Sequence, residues 1–258
     1  MIYCFSGTGN TRRIALELSR SLHTDLHEFS AQELRNPGEA KLESKDEVII
    51  WTFPTYSWGA PPVVRRIIKE GVLDFKANAV HLAVTTCGDD VGNLATMFRK
   101  DIEARGLTAG AVFSVQMPNT YVMMKGFDVD SPSLAEKKIA ASADRVKFIA
   151  ENINAGRVGK ESSDVVKGGF PLIKTSVIYP WFVRHSMNPK YFHVDAEKCV
   201  SCGRCAKACP MDNISYDEFG RPVWGKECAF CTACYHVCPA QAIQWRKATL
   251  GKGRKVLL

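Results

Sequence analysis

Cysteine is scarce for most of this chain: only Cys4 and Cys87 precede Cys199, and the other eight lie between Cys199 and Cys238. No basic, apolar leader follows Met1, which runs directly into an apolar stretch. The compartment expected is therefore the cytosol, which is reducing, so clustered cysteines point to metal ligation before disulfides. No apolar run reaches bilayer length: the most apolar late stretch, 170–183, is interrupted by Lys174 and is too short to span. An integral membrane segment is not expected. No basic stripe with interleaved aromatics on a known binding fold is evident, so nucleic-acid binding is not expected either. One further absence is local. Between 165 and 194 there is not a single acidic residue.

At 258 residues the chain can bury a full core and hold one large domain or two smaller ones. Charge divides it. Residues 1–155 carry 18 Lys+Arg against 19 Asp+Glu, a net of −1, while 156–258 carry 16 against 8, a net of +8.

In the first 155 residues, short apolar runs alternate with stretches of helical spacing. Residues 2–5, 48–53, 80–85 and 112–117 read as buried strands, and 25–29 as a weaker strand nearer an edge. Helices are predicted over 11–22, 62–70, 93–105 and 133–154, the last capped by Ser133 with Glu136 three residues on. Strands alternating with helices imply a parallel sheet covered on both faces.

Between the first strand and first helix stands Ser6-Gly7-Thr8-Gly9-Asn10-Thr11. A turn from the carboxyl end of a strand into a helix aims several N–H groups at one point, and the helix dipole favours an anion there. Gly7 and Gly9 would allow close backbone approach, and Ser6, Thr8 and Thr11 would add hydroxyls. This reads as a phosphate cradle. It lacks the GK[ST] of a Walker loop and the third glycine of the dinucleotide fingerprint, and on its own it fits equally a capped helix after a turn.

Two more loops leave the same edge of the sheet, where ligands bind in doubly wound folds. They are Pro54-Thr55-Tyr56-Ser57-Trp58-Gly59 and Thr86-Cys87-Gly88-Asp89. With these residues, 1–155 resembles the flavodoxin family, whose [S/T]-x-T-G-x-T loop binds the phosphate of flavin mononucleotide (FMN). The resemblance implies a five-stranded parallel sheet of order 2-1-3-4-5. It also implies that Trp58 or Tyr56 stacks on the isoalloxazine ring, that the Gly59 peptide is free to turn its carbonyl towards flavin N5, and that the Cys87–Asp89 loop binds the pyrimidine edge. The family's second stacking tyrosine is missing, since Asp90-Val91-Gly92-Asn93 follows. One ring face is then open, or covered by Tyr121 or by the second domain. Trp58 could instead fold onto Pro61. Cys4 and Cys87 read as small packing residues.

The cysteine-rich half repeats itself. Cys199, Cys202, Cys205, Cys209 and Pro210 recur as Cys228, Cys231, Cys234, Cys238 and Pro239, and Ile214 recurs as Ile243, all 29 residues later. Two C-x2-C-x2-C-x3-C-P runs are the bacterial dicluster ferredoxin signature, in which each fourth cysteine ligates the other cluster. Cys199, Cys202, Cys205 and Cys238 should hold one [4Fe-4S] cluster, and Cys228, Cys231, Cys234 and Cys209 the second. Zinc would need separated pairs. Each oxidised cluster with its four thiolates adds about −2, which brings the basic half to roughly +4.

The organisation expected is a flavodoxin-like domain (1–155), a connector (156–190), a small α+β dicluster ferredoxin domain (191–247) and a basic tail (248–258). Residues 156–164 read as a polar linker. The acid-free stretch after 165 reads as a connector packing between the domains in preference to a membrane-surface segment, because Pro171 and Pro180 break a long helix. The tail could dock or stay loose. The whole resembles the flavodoxin–ferredoxin fusions of anaerobic bacteria and archaea. That implies an electron carrier with one FMN and two clusters, passing electrons to other redox proteins. A flavin-dependent reductase of a quinone or nitro compound is the alternative, and a redox sensor a third reading. One cluster should then approach the flavin beside the Tyr56–Gly59 loop and the segment 119–121.

Overall fold

The computed structural model describes residues 1–255. Its first half runs β1 (Ile2–Cys4), α1 (Asn10–Leu22), β2 (Leu26–Glu28), α2 (Ala31–Arg35), β3 (Lys41–Ser44), β4 (Val48–Pro54), α3 (Pro62–Glu70), β5 (Val72–Phe75), β6 (Val80–Cys87), α4 (Leu94–Glu103), β7 (Thr108–Gln116) and α5 (Pro132–Asn154). Five of these strands form one parallel sheet in the order β2-β1-β4-β6-β7. With β3 and β5 set aside as a separate parallel pair, that is the 2-1-3-4-5 order of flavodoxin-like folds. The weak strand β2 lies at the edge, where its half-exposed side chains are tolerated.

The period of two along the strands sorts the core into two layers. Tyr3, Trp51 and Phe53 face Val64, Ile67 and Phe98 of α3 and α4. Ile2, Cys4, Ile50 and Val84 face Ile14, Leu18 and Ile149 of α1 and α5. The cap of α5 is Ser131, whose hydroxyl accepts from Leu134 N–H at 3.3 Å, not Ser133, because Pro132 already occupies the first helical position.

Residues 156–164, expected as a linker, lie along β7 instead. Ala111 N–H donates to Val158 C=O at 2.9 Å, and Asp164 N–H to Val112 C=O at 3.0 Å. The open edge of β7 supplies the physical reason: its backbone groups need partners. The next segment holds a second correction. α6 (Pro171–Ile173) continues through a π-helical turn (Lys174–Ile178) into α7 (Tyr179–His185). Pro180 does not break this helix. It falls within the first two positions of α7, directly after the wider turn, where a missing N–H is cheap.

The second half is built from β8 (Phe192–Val194), α8 (Arg204–Lys207), β9 (Ile214–Tyr216), β10 (Pro222–Trp224), α9 (Ala233–Val237) and β11 (Ile243–Trp245). β8 pairs β11 and β9 pairs β10, both antiparallel. β9 and β11 begin 29 residues apart, as do α8 and α9, so the sequence repeat is a structural one. A third core joins Phe192, Phe230, Tyr235 and Trp245 to Phe182 of α7 and to Val122 and Met123. The tail docks: Arg254 donates to the carbonyls of Gln241 at 3.0 Å and Ile243 at 2.7 Å. The apolar end of the expected tail, Val256 to Leu258, lies outside the described residues.

Candidate functional site

At the carboxyl edge of the sheet the β1–α1 loop carries Ser6 to Thr11. Gly9 has φ 100°, a left-handed conformation natural to glycine, and offers no side-chain cap, while Ser6 Oγ accepts the first-turn Arg12 N–H at 3.2 Å. Thr11 and Thr86 share a hydroxyl hydrogen bond of 2.7 Å, and Thr8 reaches Thr120 at 3.4 Å. Asn10 donates to Pro118 C=O at 2.8 Å, while its buried Oδ1 has no partner among the described residues. Gly7 has a different role from the one expected. A Cβ there would stand 2.5 Å from Cys231 Cβ, so the glycine makes room for the cysteine-rich domain.

The loop after β4 is a two-residue hairpin. Tyr56 and Gly59 exchange both backbone hydrogen bonds, at 2.9 and 3.1 Å, with Ser57 and Trp58 at φ 46° and 64°. The Gly59 carbonyl is therefore engaged, and the Trp58 carbonyl accepts the Thr175 hydroxyl at 2.7 Å. This peptide is held by the connector, not left free to turn. Glycine is needed at 59 because a Cβ would meet the Tyr179 ring at 2.3 Å. The Lys174 ammonium lies 5.0 Å above the Trp58 ring. Cys87 is buried, which pushes its thiol up to about 12, as it does for Cys4. Both are inert packing residues.

Two adjoining cavities fill the space between these loops. The smaller, about 90 Å³, is lined by Ser6, Gly7, Thr8, Asn10 and Thr11, by Pro54–Ser57, and by Thr86–Gly88. The larger, about 300 Å³, adds Trp58, Asp89 and Asp90. Gly9 sits behind the loop and lines neither. Tyr121 and Phe182 wall both cavities and Trp181 the larger, so connector aromatics stand where the family's second tyrosine is missing. A polar helix end opening into an aromatic chamber suits a phosphate joined to a planar ring, and Asn10 Oδ1 and the buried Tyr56 hydroxyl are unpartnered at its wall. The residues fit FMN.

Phe230, Cys231 and Thr232 line the same small cavity from the far side. The cysteine-rich domain thus shares a wall with the Ser6–Thr11 loop. His236 Nε2 meets Thr120 C=O at 2.8 Å, and Met211 and Ala229 join the core beneath the sheet. This contact is largely apolar; the Arg66–Glu227 ion pair, at 3.7 Å, is exposed.

The eight cysteines gather in two crossed sets. Cys199, Cys202, Cys205 and Cys238 surround one cavity, with Cys202 exposed. In the other set, burial and then nearby Cys209 push the Cys228 thiol up to about 11. Burial, Cys228 and Cys209 likewise raise Cys231 and Cys234. Backbone N–H groups already aim at sulfur: Asn213 at Cys209, 3.4 Å, Phe230 at Cys228, 3.3 Å, and Ala242 at Cys238, 3.3 Å. Among the described residues no trio of His, Cys, Asp or Glu closes around a single ion. Two four-thiol sets with N–H donors fit cubanes, whose own sulfides spread the cysteines wider.

The sequence alone did not assign Phe182, Phe230 or Thr232 to the cavity wall, nor Thr175 and Tyr179 as braces of the Trp58 turn. The only signal for the connector residues was a run of aromatics in an acid-free segment.

A family model described as a 4Fe-4S dicluster domain matches residues 192–245. A ferredoxin of Pyrobaculum islandicum is 42% identical over 52 residues, 19% of this chain and 48% of that protein. A ferredoxin of Methanothermococcus thermolithotrophicus is 39% identical over 54 residues, again 19% of this chain but 88% of that protein. The chain thus spans about half the length of the first ferredoxin and most of the second. Among solved structures, the flavodoxin of Streptococcus pneumonia TIGR4 aligns at 16% identity and a TM-score of 0.34, over 60% of this chain and 95% of that one. The fold assignment rests on strand order and not on that score. Through residues 192–245 the chain belongs to the iron–sulfur dicluster ferredoxins, here fused behind a flavodoxin-like α/β domain.

Proposed function

We propose that this protein carries electrons between two [4Fe-4S] clusters and one FMN, exchanging them with other redox proteins. Cys199, Cys202, Cys205 and Cys238 would hold the outer cluster, and Cys209, Cys228, Cys231 and Cys234 the inner one. The loop from Ser6 to Thr11 would hold the phosphate, with Thr55, Tyr56, Trp58 and the Thr86–Asp89 segment around the ring. Bound there, FMN supplies a site that takes single electrons and releases two. One observation carries the reading: Cys231 lines the cavity that the phosphate loop lines. Tethering keeps donor and acceptor together, and the buried contact fixes their approach.

The chain's own residues shape the transfer. Tyr121, Phe182 and Trp181 line the chamber with aromatic surface, and Gly7 lets the inner cysteine loop seat against the cradle. The chamber of about 300 Å³ also favours a second reading, reduction of a planar small-molecule acceptor. Anaerobic reconstitution tests the assignment: one FMN and eight iron atoms per chain are expected by this reading. Four iron atoms, or no flavin, would overturn it. Turnover of quinones or nitro compounds faster than with free FMN would select the second reading.

A further inference from the structure

The connector helix over 171–185 has two unlike faces. Thr175, Tyr179 and Phe182 are buried against the Trp58 turn and the third core. On the opposite side Ile173, Val177 and Trp181, spaced four residues apart, are 53%, 62% and 53% exposed. Phe170 and Leu172 extend this side at 78% and 66%. The rim of the larger cavity continues it through Ile178, Met124 and Phe127. An apolar surface of this kind marks an interaction site.

Charge selects the partner. Residues 165–194 contain no carboxylate, while Lys167, Arg184 and Lys190 are exposed, as is Lys125 between Met124 and Phe127. Lys174 is committed to Asp90 at 2.7 Å and does not count. Acidic groups do stand at the rim: Asp89 is 85% exposed and 3.5 Å from Lys138, which is itself bound to Asp130 at 2.7 Å, and Asp128 accepts from Gly253 N–H at 2.9 Å. A helix with an apolar stripe, a tryptophan and basic residues but no acidic ones in its own segment has the pattern of interfacial membrane helices. The objection from sequence was that two prolines break the helix; here Pro171 starts it and Pro180 is accommodated just after the π-helical turn. Among the described residues no helix is long and apolar enough to cross a membrane, so the contact would be with the surface only.

We propose that residues 170–185 seat the protein on an anionic lipid surface, with the mouth of the larger cavity at the level of the headgroups. The apolar stripe would enter the boundary between headgroups and chains, and Lys167, Arg184 and Lys190 would meet lipid phosphates. This inference does not depend on the flavin or cluster assignment.

Co-sedimentation of the full chain with vesicles tests it. Vesicles of mixed phosphatidylglycerol and phosphatidylcholine should bind the protein, and pure phosphatidylcholine should bind it at least about tenfold less. Ile173→Ser/Val177→Ser should lower partition into the anionic vesicles by about tenfold or more, without altering circular dichroism, since both side chains are exposed. Raised salt should weaken binding, and Trp181→Phe should remove a vesicle-induced blue shift in fluorescence. Failure to bind anionic vesicles, or unchanged binding by the double variant, would overturn the proposal. So would a concentration-dependent dimer that the double variant abolishes, because the face would then belong to a second copy.

Discussion

Gly7→Ala separates two explanations of one glycine. If Gly7 served only close approach to a phosphate, a methyl group would disturb ligand binding and leave the protein's stability alone. In this structure the methyl carbon would stand 2.5 Å from Cys231 Cβ and 3.2 Å from the Cys231 carbonyl oxygen. Carbon atoms rest about 3.5–4.0 Å apart, so the loop and the cysteine domain would have to separate by roughly 1 Å or more. Neither Cys231 Cβ nor its carbonyl oxygen is the end of a flexible chain. Overpacking of this kind costs about 1–3 kcal/mol, or roughly 5- to 150-fold in an unfolding equilibrium. Backbone strain does not confuse the comparison, because Gly7 lacks a positive φ. Gly38→Ala is the control, since nothing lies within 4 Å of its added carbon. Urea unfolding of both variants, followed by tryptophan fluorescence and by cluster absorbance, should show a lower midpoint for Gly7→Ala alone. Equal midpoints for the two variants would refute the steric argument.

Other outcomes follow from the same contacts. Cys209→Ala should remove the inner cluster, held also by Cys228, Cys231 and Cys234, and leave the outer one; iron analysis with EPR would reveal the reverse pattern if the crossing were wrong. FMN should bind at least about tenfold more tightly than riboflavin, and Gly9→Val should abolish most of that advantage, because the φ of 100° that shapes the Ser6–Thr11 turn needs glycine. Equal affinity in calorimetry would rule out the phosphate site. His81 is buried, which pushes its imidazole down to about 4, and it accepts the Trp51 indole N–H at 3.1 Å. The unfolded chain binds this proton first, so stability should be fully present above pH 6.5 and fall by about 1.4 kcal/mol per pH unit towards pH 4. His81→Gln should flatten that part of the profile, and identical slopes would count against it.

Much of this architecture is legible in the residues because their patterns are local. Strand alternation, the Ser6–Thr11 turn and the cysteine repeat each lie within a few residues, and each element stands close to its expected place. The parallel pair β3 and β5 was not foreseen, since a four-residue strand carries little periodic signal. Tertiary context also overrode local rules. Pro180 reads as a helix breaker until the π turn before it is seen, and 156–164 reads as a linker until the open edge of β7 is counted. The reasons for Gly7 and Gly59 were hidden for the same cause. Each accommodates a residue more than 100 positions away, Cys231 and Tyr179, which no spacing rule connects.

Salt bears on the contact less than the charge division of the chain suggested, because Met211, Ala229 and Cys231 join it to a dry core and its Arg66–Glu227 pair is exposed. The decisive question is whether electrons cross that contact within one molecule. Rapid mixing of the reconstituted, oxidised protein with a one-electron reductant, followed at cluster and flavin wavelengths, answers it. Once the clusters are reduced, the flavin should follow at a rate independent of protein concentration and nearly independent of salt. A rate that rises in proportion to protein concentration would mean transfer between molecules, and the shared wall at Cys231 would not be the route.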